Sequence, residues 1–223
     1  ITSGALFRAY RRDELAARVA AAVETAAEET DLKKVLRQLR RREMLRIAWR
    51  DLAGWADLSE VLAELSALAE ACVDSALKRL YTWAVTRDGQ PLTEDGQAAS
   101  LVVLGMGKLG GEELNFSSDI DLIFAYTGEG DPSQERALSN QEFFARLGRR
   151  LIDTLNDNTE DGFVFRVDMR LRPNGASGAL ALSFDAMDPA IHDYIKNRPG
   201  AHQKAIETIN VLNAVRGLRM RLS

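Results

Sequence analysis

The sequence predicts an α+β protein, in which a helical N-terminal region is followed by a core built on a small mixed sheet. Three observations carry that expectation. The first 90 residues contain no proline and keep apolar residues at helical spacing. A turn at Asp88, Gly89, Gln90 and Pro91 ends that texture. Beyond it, short apolar runs bounded by glycine alternate with one strongly periodic helical segment.

Taken in order, the first helix is expected from about Arg12 to Glu29, in an Ala- and Glu-rich stretch. A second runs from about Leu32 to Leu52, with Asp31 as its N-cap. A third starts at Asp57, which has capping-box spacing to Glu60. Its apolar residues, Val61, Leu62, Leu65, Leu68, Ala69, Cys72, Val73, Ala76, Leu77 and Leu80, form one face of a long helix. Trp49, Trp55 and Trp83 fall in this region and are expected to pack between helices. The run Leu101 to Leu104, closed by Gly105, predicts a buried strand. Asp119 to Tyr126 and Gly162 to Arg172 predict two more. Between these lies a helix from about Asn140 to Leu155, capped by Ser139 and Glu142. The organisation expected is a helical region over 1–90, a core over 91–184 and a helical tail over 185–223.

Composition narrows the function classes. The formal net charge is -4, which disfavours a general nucleic-acid binder but not a protein that binds one nucleotide. No run of about 18 apolar residues is present, so no membrane span is expected. The single cysteine, Cys72, allows no internal disulfide and fits a reducing, cytoplasmic setting. The N-terminus has neither a signal peptide nor an initiator Met, which predicts a piece of a longer chain. His192 and His202 stand ten residues apart and make no zinc motif.

The chemistry concentrates between Leu104 and Phe124, in LGMGKLGGEELNFSSDIDLIF. Alternate side chains of a strand share a face, so Asp119 and Asp121 point one way while Ile120, Leu122 and Phe124 point into a core. Two carboxylates roughly 6–7 Å apart on one strand repel each other unless a cation joins them. Mg²⁺ suits such a pair, because it is a hard cation that shares oxygen ligands with substrate phosphates. Gly110 and Gly111 would let backbone approach a phosphate, and Ser117 and Ser118 add hydroxyl donors. The same parity argument along Phe163 to Arg172 places Asp168 on a face with Arg166, Arg170 and Arg172. Asp168 is then a third ligand or general base, while Arg170 and Arg172 neutralise phosphate oxygens.

Leu-Gly-Gly, seven residues and then Asp-Ile-Asp-Leu resembles the signature of the polymerase β nucleotidyltransferase superfamily, and implies a polymerase β-like nucleotidyltransferase core. The longer string from Gly105 to Phe124 resembles one family within it, the bifunctional glutamine synthetase adenylyltransferase/deadenylylase. Arg40 to Gly54, Gln141 to Asp153 and Asp161 to Leu180 support the likeness, which covers about two thirds of the chain, Leu32 to Phe184. After Phe184 the resemblance fades. NFSSDID, Asn115 to Asp121, is similar to the loop of the family's N-terminal, deadenylylating domain.

The resemblance implies that phosphate attacks the adenylyl-tyrosine of glutamine synthetase and releases ADP. ATP-dependent adenylylation, or a truncated and inactive module that binds nucleotide or a regulator, are the alternatives. It also implies Mg²⁺ on Asp119, Asp121 and Asp168, with Lys108, Arg170 and Arg172 offsetting charge at phosphorus. Partners implied are glutamine synthetase, ATP or ADP, phosphate and the PII signalling protein, in the regulation of nitrogen assimilation.

Overall fold

The computed structural model describes residues 4–130, 138–169 and 181–183. Its elements are a short 3₁₀ turn (Ala5–Phe7), α1 (Arg12–Glu24), α2 (Glu29–Leu52), α3 (Leu58–Asp88), β1 (Leu101–Met106), α4 (Gly107–Gly110), β2 (Ile120–Tyr126), α5 (Asn140–Asn156), β3 (Val167–Asp168) and β4 (Ala181–Ser183). Helices and a small sheet together give the α+β class. The sheet runs β1-β2-β3, with β4 also pairing β2. β3 lies parallel to the start of β2 and β4 parallel to its end.

Local sequence signals explain most of the boundaries. Asp57 Oδ1 accepts the Glu60 N–H at 2.8 Å and starts α3 where the capping-box spacing places it. At α5 the box closes in both directions: Ser139 N–H donates to Glu142 Oε2 at 3.0 Å, and Glu142 N–H donates to Ser139 Oγ at 3.2 Å. α2 differs from expectation. It begins at Glu29, so Asp31 sits in the first turn and accepts the Ala27 N–H at 3.2 Å instead of capping. A carboxylate there still complements the exposed N–H groups of the helix start.

The described residues form two compact units that interleave along the chain. The first takes the chain up to Trp83, together with Gly105–Leu122 and Arg149–Asp168. Its core joins Leu15 and Val19 of α1, Leu32, Leu36 and Ile47 of α2, and Leu65, Leu68 and Cys72 of α3, all under 2% exposed. Each such side chain is worth about 1.5–3 kcal/mol when taken from water. Two ionic groups are buried with it. Arg46 donates to Glu43 at 2.9 Å and to Glu64 at 2.7 Å, with side chains 5%, 2% and 4% exposed. Burial alone would lower the Arg46 pKa, but its hydrogen bonds to Glu64 and Glu43 outweigh that and hold it above the ordinary value.

The second buried group is Arg37, 1% exposed. It donates to the carbonyls of Lys33 (2.8 Å), Thr154 (3.1 Å), Gly162 (2.7 Å) and Asp157. One guanidinium therefore ties α2 to the end of α5 and to the turn that leads into β3. Burial pulls its pKa below the usual arginine value.

In the other unit, Tyr126 stacks on Phe144 at 5.2 Å between ring centres, and Phe143 meets Phe144 edge-on. Asn140, at the start of α5, donates to the carbonyls of Leu92 and Gly128, both at 2.9 Å.

Two expectations are corrected. Trp49 and Trp55 are not packed between helices: they are 58% and 47% exposed, beside exposed Leu45, Leu52, Leu58 and Phe7. The third strand does not begin at Gly162. Thr159 and Gly162 bond each other in a turn with Gly162 at φ +81°, and the Val164 and Phe165 N–H groups both donate to Leu155 O instead of a strand ladder. The tail over 185–223, with both histidines, lies outside the described residues. Among the described residues no helix is long and apolar enough to cross a membrane.

Candidate active site

The segment between β1 and β2 is pinned at both ends. Met106 closes β1, and the chain turns at once into the single-turn helix α4. The Gly-Gly pair expected in an open loop thus sits at the end of a helical turn. Gly110 is required by close approach: a Cβ there would lie 2.5 Å from the Gly105 carbonyl oxygen. Gly111 N–H donates to Gly107 O at 3.0 Å, so that amide is engaged inside the turn. Further on, Leu114 is 1% exposed and its N–H donates to Ser66 Oγ of α3 at 3.1 Å.

Asn115 organises the next three residues. Its Oδ1 accepts the Ser117 N–H (3.1 Å), the Ser117 hydroxyl (3.2 Å) and the Ser118 hydroxyl (2.8 Å). This is an Asx turn, in which a short polar side chain mimics backbone. Sequence reasoning passed over Asn115, although Asn two residues before Ser is the composition such turns use. Lys108 reaches the same place, with Nζ 3.4 Å from Ser118 Oγ.

The loop delivers Asp119 to the start of β2. Ile120, Leu122 and Phe124 are buried, while Asp119 is exposed and Asp121 half-buried; past Asp121 the strand is covered on both faces, with Ile123 and Ala125 buried as well. Asp121 stands in register with Asp168 on the parallel neighbour β3, which makes them adjacent across the sheet. Ile120 N–H donates to Arg166 O at 2.9 Å, and Val167 N–H to Asn156 Oδ1 at 3.2 Å, fixing that register from both sides. Asp121 also explains a glycine. Gly107 has φ +52°, and a Cβ on it would fall 2.5 Å from Asp121 Oδ2. Only glycine allows both that backbone angle and that carboxylate.

Asp119 is directed elsewhere. Arg166 Nε donates to its Oδ1, and Arg166 Nη2 donates to the Ser117 carbonyl at 2.7 Å. Arg166 was expected beside Asp168 on a strand face; it lies just before β3 and serves Asp119. With Asp119 so held, no group of three His, Cys, Asp or Glu side chains that could take a metal ion is assembled among the described residues. The structure therefore brings together Lys108, Gly110, Gly111, Ser117, Ser118, Asp119, Asp121 and Asp168 in one unit. Arg170 and Arg172 lie outside the described residues.

Comparison with known proteins follows that geometry. The family model for glutamate-ammonia ligase adenylyltransferase matches residues 2–197. This chain belongs to that family. Among curated relatives, a bifunctional glutamine synthetase adenylyltransferase/adenylyl-removing enzyme from Thioalkalivibrio sulfidiphilus is 54% identical over 188 residues, 84% of this chain and 19% of the relative. The protein of the same name from Nitrosococcus oceani is 56% identical over 83% of this chain and 19% of its own length. That from Pseudomonas putida is 49% identical over 86% of this chain and 20% of its own length. The chain thus spans about a fifth of the length of these relatives. The aligned part of the family model includes all ten residues predicted for the site.

Proposed function

We propose that this chain is a nucleotidyltransferase domain that acts on glutamine synthetase and removes AMP from its adenylylated tyrosine by phosphorolysis. The observation that carries this reading is the placement of Asp121 opposite Asp168 on parallel strands, three residues past Ser118 in a loop ordered around Ser117 and Ser118. The relatives named above carry both the adenylylating and the adenylyl-removing activity in their names. The removing direction comes from the Asn115-to-Asp121 loop, which resembles the deadenylylating version.

In that reaction an oxygen of inorganic phosphate forms a bond to the phosphorus of the adenylyl group. The bond from phosphorus to the tyrosine oxygen breaks, and the products are ADP and free tyrosine on glutamine synthetase. The donor set suits Mg²⁺: Asp119, Asp121 and Asp168 offer only oxygen, the ligand that a hard cation takes. Bound there, the ion would lower the charge on the reacting phosphorus centre and its oxygens. Lys108, beside Ser118, adds a positive charge on the phosphate side of the loop. The Ser117 and Ser118 hydroxyls, which donate to Asn115 Oδ1, would turn from it to donate to phosphate oxygens. Arg170 and Arg172 neutralise further phosphate charge. A cytoplasmic setting and control by the PII protein accompany this reading.

Labelled phosphate tests the direction. Incubated with adenylylated glutamine synthetase and Mg²⁺, the chain should move the label into ADP. Transfer of AMP from ATP to unmodified glutamine synthetase, with no label in ADP, would instead establish the forward reaction.

A further inference from the structure

Arg166 has a place in this site that neither strand parity nor resemblance assigns. It is the residue before β3, and it reaches to the residue before β2. Its two side-chain hydrogen bonds fall on one short stretch, the Asp119 carboxylate and the Ser117 carbonyl. The guanidinium offsets the charge of Asp119 next to Asp121 and Asp168. A divalent cation would do the same to the same carboxylate. The bond takes up Oδ1, and the positive guanidinium disfavours a second cation at the same carboxylate, so the two compete. The exchange is feasible because the pair is open to water, with side chains 54% and 44% exposed. Exposed ion pairs are weak and readily broken.

We propose that Arg166 is a positioning residue that holds Asp119 and the Ser117 carbonyl while no divalent cation is bound, and releases Asp119 when one binds. This rests on Asp119 being a metal ligand. The loop is then kept in shape before the cation arrives, and cation affinity is reduced by the need to break the pair. Such a device favours binding of the cation together with a nucleotide, whose phosphates supply the ligands that a lone cation lacks.

The test is Mn²⁺ binding to the nucleotide-free chain by titration calorimetry, with circular dichroism to establish folding. Wild type, Arg166→Gln, Arg166→Lys and Asp119→Asn are compared. Arg166→Gln should bind Mn²⁺ roughly fivefold more tightly than wild type, since a weak competing pair is gone. Asp119→Asn should bind more weakly. A residue that only supports the loop would loosen the site when replaced, and Arg166→Lys, which keeps the charge but loses the fork, separates release of Asp119 from simple loss of a nearby positive charge. If Arg166→Gln does not fold, Arg166→Lys carries the test alone. A smaller tightening is expected of it, because lysine cannot make the forked contact. Unchanged or weaker binding by the folded Arg166 variant, with Asp119→Asn still weakening it, overturns the proposal and leaves the metal role standing. Wild-type binding that is absent, or indifferent to Asp119→Asn, overturns both.

Discussion

Two arginine–carboxylate groups in the same unit differ in one respect, water. Arg46 with Glu43 and Glu64 is almost wholly buried, while Arg166 with Asp119 is about half exposed. The chemistry of the contacts is the same. In the buried group Arg42 adds a second positive charge at 3.0 Å from Glu43, the Tyr10 N–H adds a bond to Glu64 at 2.7 Å, and the Arg46 guanidinium lies 4.2 Å from the Tyr10 ring centre. Losing one member would strand charge in a medium that cannot solvate it. The exposed pair has water as an alternative for either partner. A buried pair therefore fixes a fold, and an exposed one can serve as an exchangeable contact at a site.

The comparison can be broken by mutation. The largest effect on stability is expected for Arg46→Ala, which leaves Glu64 buried without its arginine, while Glu43 keeps Arg42 at 3.0 Å. It should lower unfolding free energy by about 3–5 kcal/mol, read by urea denaturation. A loss near zero would remove the distinction. An intermediate case is Ser139→Ala at the start of α5, where the bonds are charge-assisted but exposed. A loss of about 1 kcal/mol is expected at neutral pH. The Ser139 backbone N–H and hydroxyl hold the Glu142 pKa below its ordinary value of 4.5. A carboxylate with a lowered folded pKa contributes stability that is present above its unfolded value and disappears as pH falls through the folded one. The Ser139→Ala defect should therefore shrink in acid, and melts from pH 7 to pH 3 check it. The smallest effect belongs to Arg166→Gln, which should change stability by less than about 1 kcal/mol. A loss as large as that of Arg46→Ala would make Arg166 a structural residue.

What the sequence disclosed follows the same division between local and distant interactions. The starts of α3 and α5 were legible because capping is written within four residues, in Asp57 with Glu60 and in Ser139 with Glu142. The direction of Ile120, Leu122 and Phe124 followed from strand parity. Asp121 and Asp168 were each legible by the same argument, but their register was not, since it depends on a bond between Ile120 and Arg166. The helical turn at Gly107–Gly110 was missed. Its cause is the approach of Gly110 to Gly105 and of Gly107 to Asp121, contacts that no spacing rule encodes. Arg37 and Arg166 were missed as organisers for the same reason. All their hydrogen-bond partners but Lys33 lie 47 to 125 residues away and include backbone carbonyls, which every sequence position has.

The central claim is that Asp121 belongs to a phosphoryl-transfer site and is not a support of the fold. ADP release from adenylylated glutamine synthetase by Asp121→Asn, beside wild type at saturating Mg²⁺ and phosphate, tests it most directly. A drop of at least about a hundredfold with an unchanged melting temperature is the predicted result. Activity retained in a folded Asp121→Asn chain would contradict it.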